Sequence, residues 1–339
     1  MTQSSSSLRW ASALLGLAAL AASGTALAAK DVILSIGYQP ETLDPYNTNT
    51  TITTTAVTKT FYEGLFQFDK DLKVQNVLAE GYEVSKDGLV YTIKLRSGVK
   101  FHDGTDFNAE AVKFVLDRVL NQDNTLLRYN QFNRVGKVEA INATTVRITL
   151  KEPFGPFINS LAHASAAMIS PTALKKWGNQ DIAFHPVGTG PFEFVEWKQT
   201  EAVKAKKFDG YWKKGYPKVD TVSWKPVLEN NTRAAMLQTG EADWGLRPLF
   251  ASEAWASKLN NMSFYKSDVV DAALAKALIT VDEKEKAALY KTAQEEIRKD
   301  LPRVPMVTEQ NLSAHAKRLS GVFVMPDGNI NIDAIAVSN

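Results

Sequence analysis

The 339-residue chain contains no cysteine. That absence excludes disulfides, zinc–thiolate sites and cysteine nucleophiles together, and it removes the attachment point for a lipoprotein anchor. Histidine is nearly as scarce: His102, His163, His185 and His315 lie far apart with no metal-ligand spacing. No HExxH, G-x-S-x-G or Walker loop is present. Gly188-Thr189-Gly190 resembles a phosphate-loop fragment, but Pro191 and an apparent strand come after it where a helix N-terminus would have to supply the anion-binding amides. The carboxylate pairs Glu295-Glu296 and Glu283/Glu285 sit on a lysine-rich helical stretch whose i,i+4 partners account for them as a solvated face. Charge of one sign is lacking too. With 39 basic against 37 acidic residues, neither a nucleic acid nor an acidic membrane is an expected partner. Beyond the N-terminus no segment reaches 18 uninterrupted apolar residues, so no membrane insertion is expected. The composition implies no enzyme chemistry, no metal and no cofactor.

What is present begins with an export signal. Arg9 is the only charge before an apolar run, Ala11 to Ala22, which is too short to span a bilayer and leads to Ala26-Leu27-Ala28. The pattern predicts cleavage after Ala28 and a soluble, periplasmic mature chain. Val32–Ile36 then reads as a buried strand, and Gly37, Pro40 and Pro45 break regular structure behind it. Helical spacing of Ile52, Ala56, Val57 and Phe61 predicts a helix through Tyr62, ending near Gly64. Leu89–Leu95 alternates as a half-buried strand after the turn Ser85–Gly88, and Asn108 can cap a helix carrying Ala111, Val112, Val115 and Leu116. Val138–Leu150 predicts a hairpin bending at Asn142-Ala143-Thr144. Further strands are expected at Phe192–Trp197, Ala202–Lys207, Thr221–Pro226 and near Val304–Thr308. Helices are expected over Asp268–Thr280 and Asp282–Lys299, each opened by a capping aspartate. The mixture predicts an α/β (α+β mixed) fold.

Five stretches in fixed order resemble the dipeptide/oligopeptide/nickel group of substrate-binding proteins that serve ABC importers. They are Thr42-Leu43-Asp44-Pro45, Phe61-Tyr62-Glu63-Gly64-Leu65, Leu78-Ala79-Glu80-Gly81-Tyr82, Tyr91 to Thr105, and Pro186-Val187-Gly188-Thr189-Gly190-Pro191-Phe192. Leu127-Arg128-Tyr129-Asn130, Asn230 to Ala242 and Trp244 to Ser252 are most similar to the glutathione branch of that family. The resemblance implies a two-lobed fold closing on a ligand, with an inner-membrane ABC permease as partner and glutathione or a short peptide as ligand. After Thr239-Gly240-Glu241-Ala242, however, the chain passes directly into a segment resembling the far end of the second lobe. An in-frame deletion between two copies of that tetrapeptide would give this junction. The expected organisation is therefore a signal peptide over 1–28, lobe one over 29–60 and 165–242, a small extra domain over 61–164, a remnant of lobe two over 243–303, and a C-terminal return to lobe one over 304–339.

The resemblance also carries over a set of ligand contacts: Tyr38, Gln39, Glu41 and Thr42 in the loop after the first strand, and Arg128 and Tyr129 in the small domain. A guanidinium suits a peptide carboxylate, and tyrosines suit as walls. Arg128 reads equally as a surface residue near a helix end, and Tyr38 as core filler. Trp244 and His163 complete the candidates, Trp244 as a cleft residue or part of a rearranged core. The alternatives to a glutathione or peptide binder are a relic that binds nothing tightly and a dipeptide- or nickel-type binding protein.

Overall fold

The computed structural model describes residues 30–48, 52–247, 267–300, 312–325 and 330–338. The expected export signal, the segment from Pro248 to Ser252 and the strand near Val304–Thr308 lie outside these residues. In chain order the elements are β1 (Asp31–Ile36), α1 (Ile52–Thr58), β2 (Phe66–Phe68), β3 (Val74–Asn76), β4 (Ala79–Val84), β5 (Val90–Leu95), α2 (Ala109–Leu120), α3 (Tyr129–Phe132), β6 (Val135–Asn142), β7 (Thr145–Leu150), α4 (Phe157–Ala162), α5 (Pro171–Asp181), β8 (Phe192–Lys198), β9 (Ala202–Lys207), β10 (Thr221–Pro226), α6 (Asn230–Thr239), β11 (Trp244–Arg247), α7 (Asp268–Ile279), α8 (Glu283–Asp300), β12 (Leu312–His315), β13 (Leu319–Ser320) and β14 (Ala336–Val337).

A six-stranded mixed sheet, ordered β12-β11-β1-β10-β9-β8, forms the main layer. β1 lies inside it, parallel to β10 on one side and β11 on the other, and its Val32, Leu34 and Ile36 are buried. Its other face is covered too, with Ser35 buried and Ile33 half-buried, so an apolar run rather than strict alternation suits it. β8, β9 and β10 continue as an antiparallel meander. Glu193 and Glu196 face Lys206 and Lys204 across the β8–β9 pair at 2.9 and 2.6 Å, which explains the alternating charge.

A separate antiparallel sheet, β4-β5-β7-β6, carries α2 on one face. Asn108 caps α2 through a bond from the Ala111 amide to Asn108 Oδ1, and the stripe Ala111, Val112, Val115, Leu116 and Val119 is buried. The buried side chains of both sheets form one contiguous core that includes Trp224, Trp244, Phe61 and Phe101.

Three expectations change. The helix expected to run through Tyr62 stops at Thr58. The next carbonyls are taken by the segment entering β8: Gly190 N–H donates to Phe61 O at 2.9 Å and Phe192 N–H to Thr60 O at 3.3 Å. The cap of α7 is Ser267, whose hydroxyl accepts from the Val270 amide. Asp268 and Asp271 lie in its first turn, where they favour the helix dipole. Asp282 does cap α8, accepting from the Glu285 amide at 2.8 Å.

The third change is at the junction. The residues from 243 onward, assigned by their resemblance to a second-lobe remnant, begin inside the main sheet. Asp243 Oδ2 accepts from the Ile33 amide and Oδ1 from Arg318, while β11 pairs in parallel with β1 and antiparallel with β12. The sheet therefore runs through the joint. Among the described residues there is no second sheet of comparable size facing it. The next described element after β11 is the α7–α8 hairpin, which meets the small sheet domain through its turn. There Gly155 N–H donates to Leu278 O, and Val281 lies against Gly88.

Candidate functional site

The loop after β1 is held from behind by a buried ion pair. Arg118, on the inner face of α2, reaches Asp44 with Nη2 at 2.6 Å and Nη1 at 3.4 Å, and its Nε donates to Asn179 at 2.7 Å. The Tyr46 amide donates to Asp44 Oδ1, and the Tyr46 ring lies 6.0 Å from the guanidinium carbon. Both charged side chains are almost wholly enclosed, 6% and 1% exposed, so the pair fixes where residues 38–46 run. Thr42 Oγ1 accepts from the Asp44 amide, and Thr54 Oγ1 accepts from the Glu41 amide. Gln39 Oε1 accepts from the Thr200 amide, and Tyr38 is 43% exposed. Tyr38 is thus a surface side chain and no part of the core.

Arg128 comes to the same loop. Its backbone N–H donates to Tyr46 O at 3.2 Å. Its side chain is half-buried, and Nε and Nη2 are enclosed with no hydrogen-bond partner. Burial lowers its pKa from the usual guanidinium value, but an arginine keeps its charge in protein. A buried cationic donor pair left unmet is costly unless a ligand meets it. The neighbouring Tyr46 hydroxyl is also buried without a partner. Tyr129 is half-buried and accepts from Gln122 Nε2. One turn on, Gln131 Oε1 accepts from Ser165 Oγ, which lies 2.8 Å from His163 Nδ1. His163 is therefore tied to the Arg128 segment, but it lines a different cavity of about 90 Å³ beside Glu63.

Trp244 does not stand in an open cleft. It is 1% exposed and packs edge-to-face on Trp224, while its carbonyl accepts from Ser35 Oγ. It is a core side chain of the sheet.

Two further clusters, away from the loop after β1, explain sequence motifs. His102 Nε2 lies 2.9 Å from Gly190 O, and the Gly188 amide donates to Nδ1 at 3.3 Å, so the neutral imidazole bridges Gly188-Thr189-Gly190. Burial pulls its pKa down to about 4. This histidine is thus an interior bridge, and the glycine pair is a close-packing device: a Cβ on either glycine would overlap the Phe61 carbonyl. Glu63 accepts from Thr189 Oγ1, Tyr211 OH and Trp212 Nε1 at 2.9, 2.7 and 2.8 Å. Burial pushes its pKa up to about 7, against the lowering effect of these three donors. Sequence reading misses both the Asp44–Arg118 pair and this hub. The available signals are an arginine on the apolar stripe of α2 and a glutamate inside Phe61-Tyr62-Glu63-Gly64-Leu65. Among the described residues no cluster of metal-ligating side chains occurs, and no helix is long and apolar enough to cross a membrane.

A strand-centred α/β lobe with a small antiparallel domain set into it is the architecture of a solute-capturing protein. The chain belongs to the bacterial extracellular solute-binding proteins, family 5, whose middle section matches residues 73–272. It is 37% identical to the glutathione-binding protein GsiB of Salmonella typhimurium over 503 aligned residues, taking in 96% of this chain and 98% of that one. It is 35% identical to GsiB of Escherichia coli O157:H7 over 497 residues, 94% of this chain and 97% of that one. An alignment longer than the chain itself must open a long gap, so these relatives carry a stretch with no counterpart here.

Among solved structures, the binding protein AgaA of A. tumefacien R10 in complex with agropinic acid is 32% identical with a TM-score of 0.60. That match covers 64% of this chain and 43% of that one. The periplasmic binding protein DppA of Helicobacter pylori in complex with peptide STSA shares the fold at a TM-score of 0.76 and 19% identity, covering 91% and 98% of the two chains. This chain is accordingly a solute-binding protein of the kind that serves ABC importers.

Proposed function

We propose that the chain captures glutathione or a related short peptide in the periplasm, and that it presents only one of the two walls of the family's cleft. The observation that carries this reading is the guanidinium of Arg128, with Nε and Nη2 enclosed and unpartnered, on a segment whose backbone bonds the Tyr46 end of the loop after β1. Such a donor pair calls for a carboxylate, and a zwitterionic peptide supplies one. The relatives named for glutathione binding agree in ligand class. In this reading Arg128 is the anchor, Tyr38 and Tyr129 are aromatic flanks, and Gln39, Glu41 and Thr42 shape the loop. Export with cleavage after Ala28 completes it.

In this reading the gap in the alignment is a deletion at Thr239-Gly240-Glu241-Ala242, which removes the opposing wall and leads the chain directly into β11. A competing reading, a relic that binds nothing, draws on the burial of Trp244 in the core, since it leaves one candidate contact fewer. A thermal-shift series with glutathione, dipeptides and nickel separates the readings, because a ligand bound by the folded state alone raises the unfolding midpoint. A rise with glutathione that is absent with nickel supports the proposal; no rise with any of them favours the relic.

A further inference from the structure

Several lysines near the sheet edge are matched by carboxylates. Lys204 and Lys206 meet Glu196 and Glu193, and Lys198 lies 3.8 and 3.9 Å from Glu196 and Glu201. Four others are not. Among the described residues Lys30, Lys207, Lys214 and Lys218 have no carboxylate within ion-pair distance, and together with Lys213 they line one open concavity of about 620 Å³. The backbone holds their spacing. Asp220 N–H donates to Lys30 O at 2.9 Å, Lys207 N–H donates to Asp220 O at 2.7 Å, and the Lys30 amide is bonded to Asp220 Oδ2. At the far rim the Tyr216 ring lies under two ammonium groups, Lys213 at 4.6 Å and Lys218 at 5.3 Å. Lys213 is neutralised by Asp333 at 2.7 Å, and Asp209 is the one carboxylate among the described residues lining the concavity.

The chain as a whole is almost charge-balanced, so this is a local excess rather than a general basicity. Converging unpaired ammonium groups repel one another in the free protein and gain most from a multivalent anion. The donors are point charges without the planar fork of arginine, and the concavity is open to water. Both features suit phosphate oxygens presented together at a surface more than a single enclosed carboxylate.

We propose that this concavity is a phosphate-oxyanion site, supplied by the phosphodiester headgroups of an anionic bilayer, which would keep the protein close to the membrane that houses its permease. Lysines near such a surface act additively and within a Debye length, so the contact is salt-sensitive. None of the site's residues is among the proposed solute contacts.

The test uses the purified chain from Ala29, without the proposed export signal, with phosphatidylcholine vesicles, with and without phosphatidylglycerol, at low and physiological salt, and separately with inorganic phosphate. The triple variant Lys207→Glu, Lys214→Glu, Lys218→Glu is compared with a control of equal charge, Lys70→Glu, Lys291→Glu, Lys299→Glu, after matching unfolding midpoints show that both are folded. The expected result is phosphatidylglycerol-dependent sedimentation that falls at least about tenfold in the first variant and hardly in the control. Phosphate binding without vesicle binding, lost in the first variant only, would keep the site and make free phosphate its source. Equal losses in both variants, or no response to either phosphate source, overturn the proposal. So does capture by polyglutamate alone, which would assign the face to an acidic protein.

Discussion

The region from β1 to β10 and the α7–α8 hairpin are built from equally regular elements but held in different ways. In the first, two sheets share one core, and its enclosed carboxylates are matched, Asp44 by Arg118 and Glu63 by Thr189, Tyr211 and Trp212, while Nε and Nη2 of Arg128 stay unmet. In the second, Val270, Ala273 and Ala293 form a separate small core, while Val269, Ile279, Val281 and Ile297 remain 38–55% exposed. Lys276–Glu285 and Lys291–Glu295 are exposed pairs of the kind that add little stability. Helix periodicity and caps are local properties, so the hairpin forms them without a large shared core. Among the described residues nothing covers its outer apolar side chains fully.

If that contrast is right, the largest losses come from the buried polar anchors of the first region. Arg118→Met strands the Asp44 carboxylate and should lower unfolding free energy by about 3–5 kcal/mol in denaturant titration. Gly190→Ala forces the Phe61 carbonyl away from β8 and should cost about 1–3 kcal/mol by the same measurement.

The pH dependence has two opposed parts. Glu63, raised from 4.5 to about 7, adds stability that is complete below pH 4.5 and lost as pH rises through 7. His102, lowered from 6.5 to about 4, adds stability that is complete above pH 6.5 and lost as pH falls through 4. Between about 4.5 and 6.5 the slopes oppose each other. Glu63→Gln should therefore expose a stability that rises with pH across that window; a flat profile in the variant would refute the assignment. The smallest effect belongs to the hairpin. Val281→Ala should change global stability by less than about 0.5 kcal/mol. Amides of α7 and α8 should exchange faster than those of β1 and β10, and equal protection would show the hairpin to be part of the cooperative core.

Much of this contrast is legible in the sequence. Strands at 31–36, 90–95, 192–198, 202–207 and 221–226, the Asn108 cap and the two late helices follow from alternation, helical spacing and capping chemistry. The illegible part depends on distant residues meeting. Asp44 and Arg118 are 74 residues apart. The helix suggested by the spacing does not continue past Thr58, and the entry to β8 claims the carbonyls of Thr60 and Phe61. Trp244 can be placed in a cleft or a core only once β11 is seen beside β1. Tyr38 and Arg128 come from a resemblance, and no periodicity in their neighbourhoods points to a ligand.

The central claim, one wall of a two-walled site anchored by Arg128, is tested most directly by calorimetry with glutathione on the wild-type chain and on Arg128→Ala. A charge-assisted contact contributes about 1.5–3 kcal/mol, whereas micromolar binding needs roughly 8. The account predicts a wild-type dissociation constant of about millimolar or weaker. It also predicts no detectable binding in the variant, whose folded stability is unchanged or higher because an unmet buried charge has gone. A micromolar constant in the wild type would contradict it by showing that the chain has rebuilt a closed site, and binding undiminished in Arg128→Ala would show that the anchor lies elsewhere.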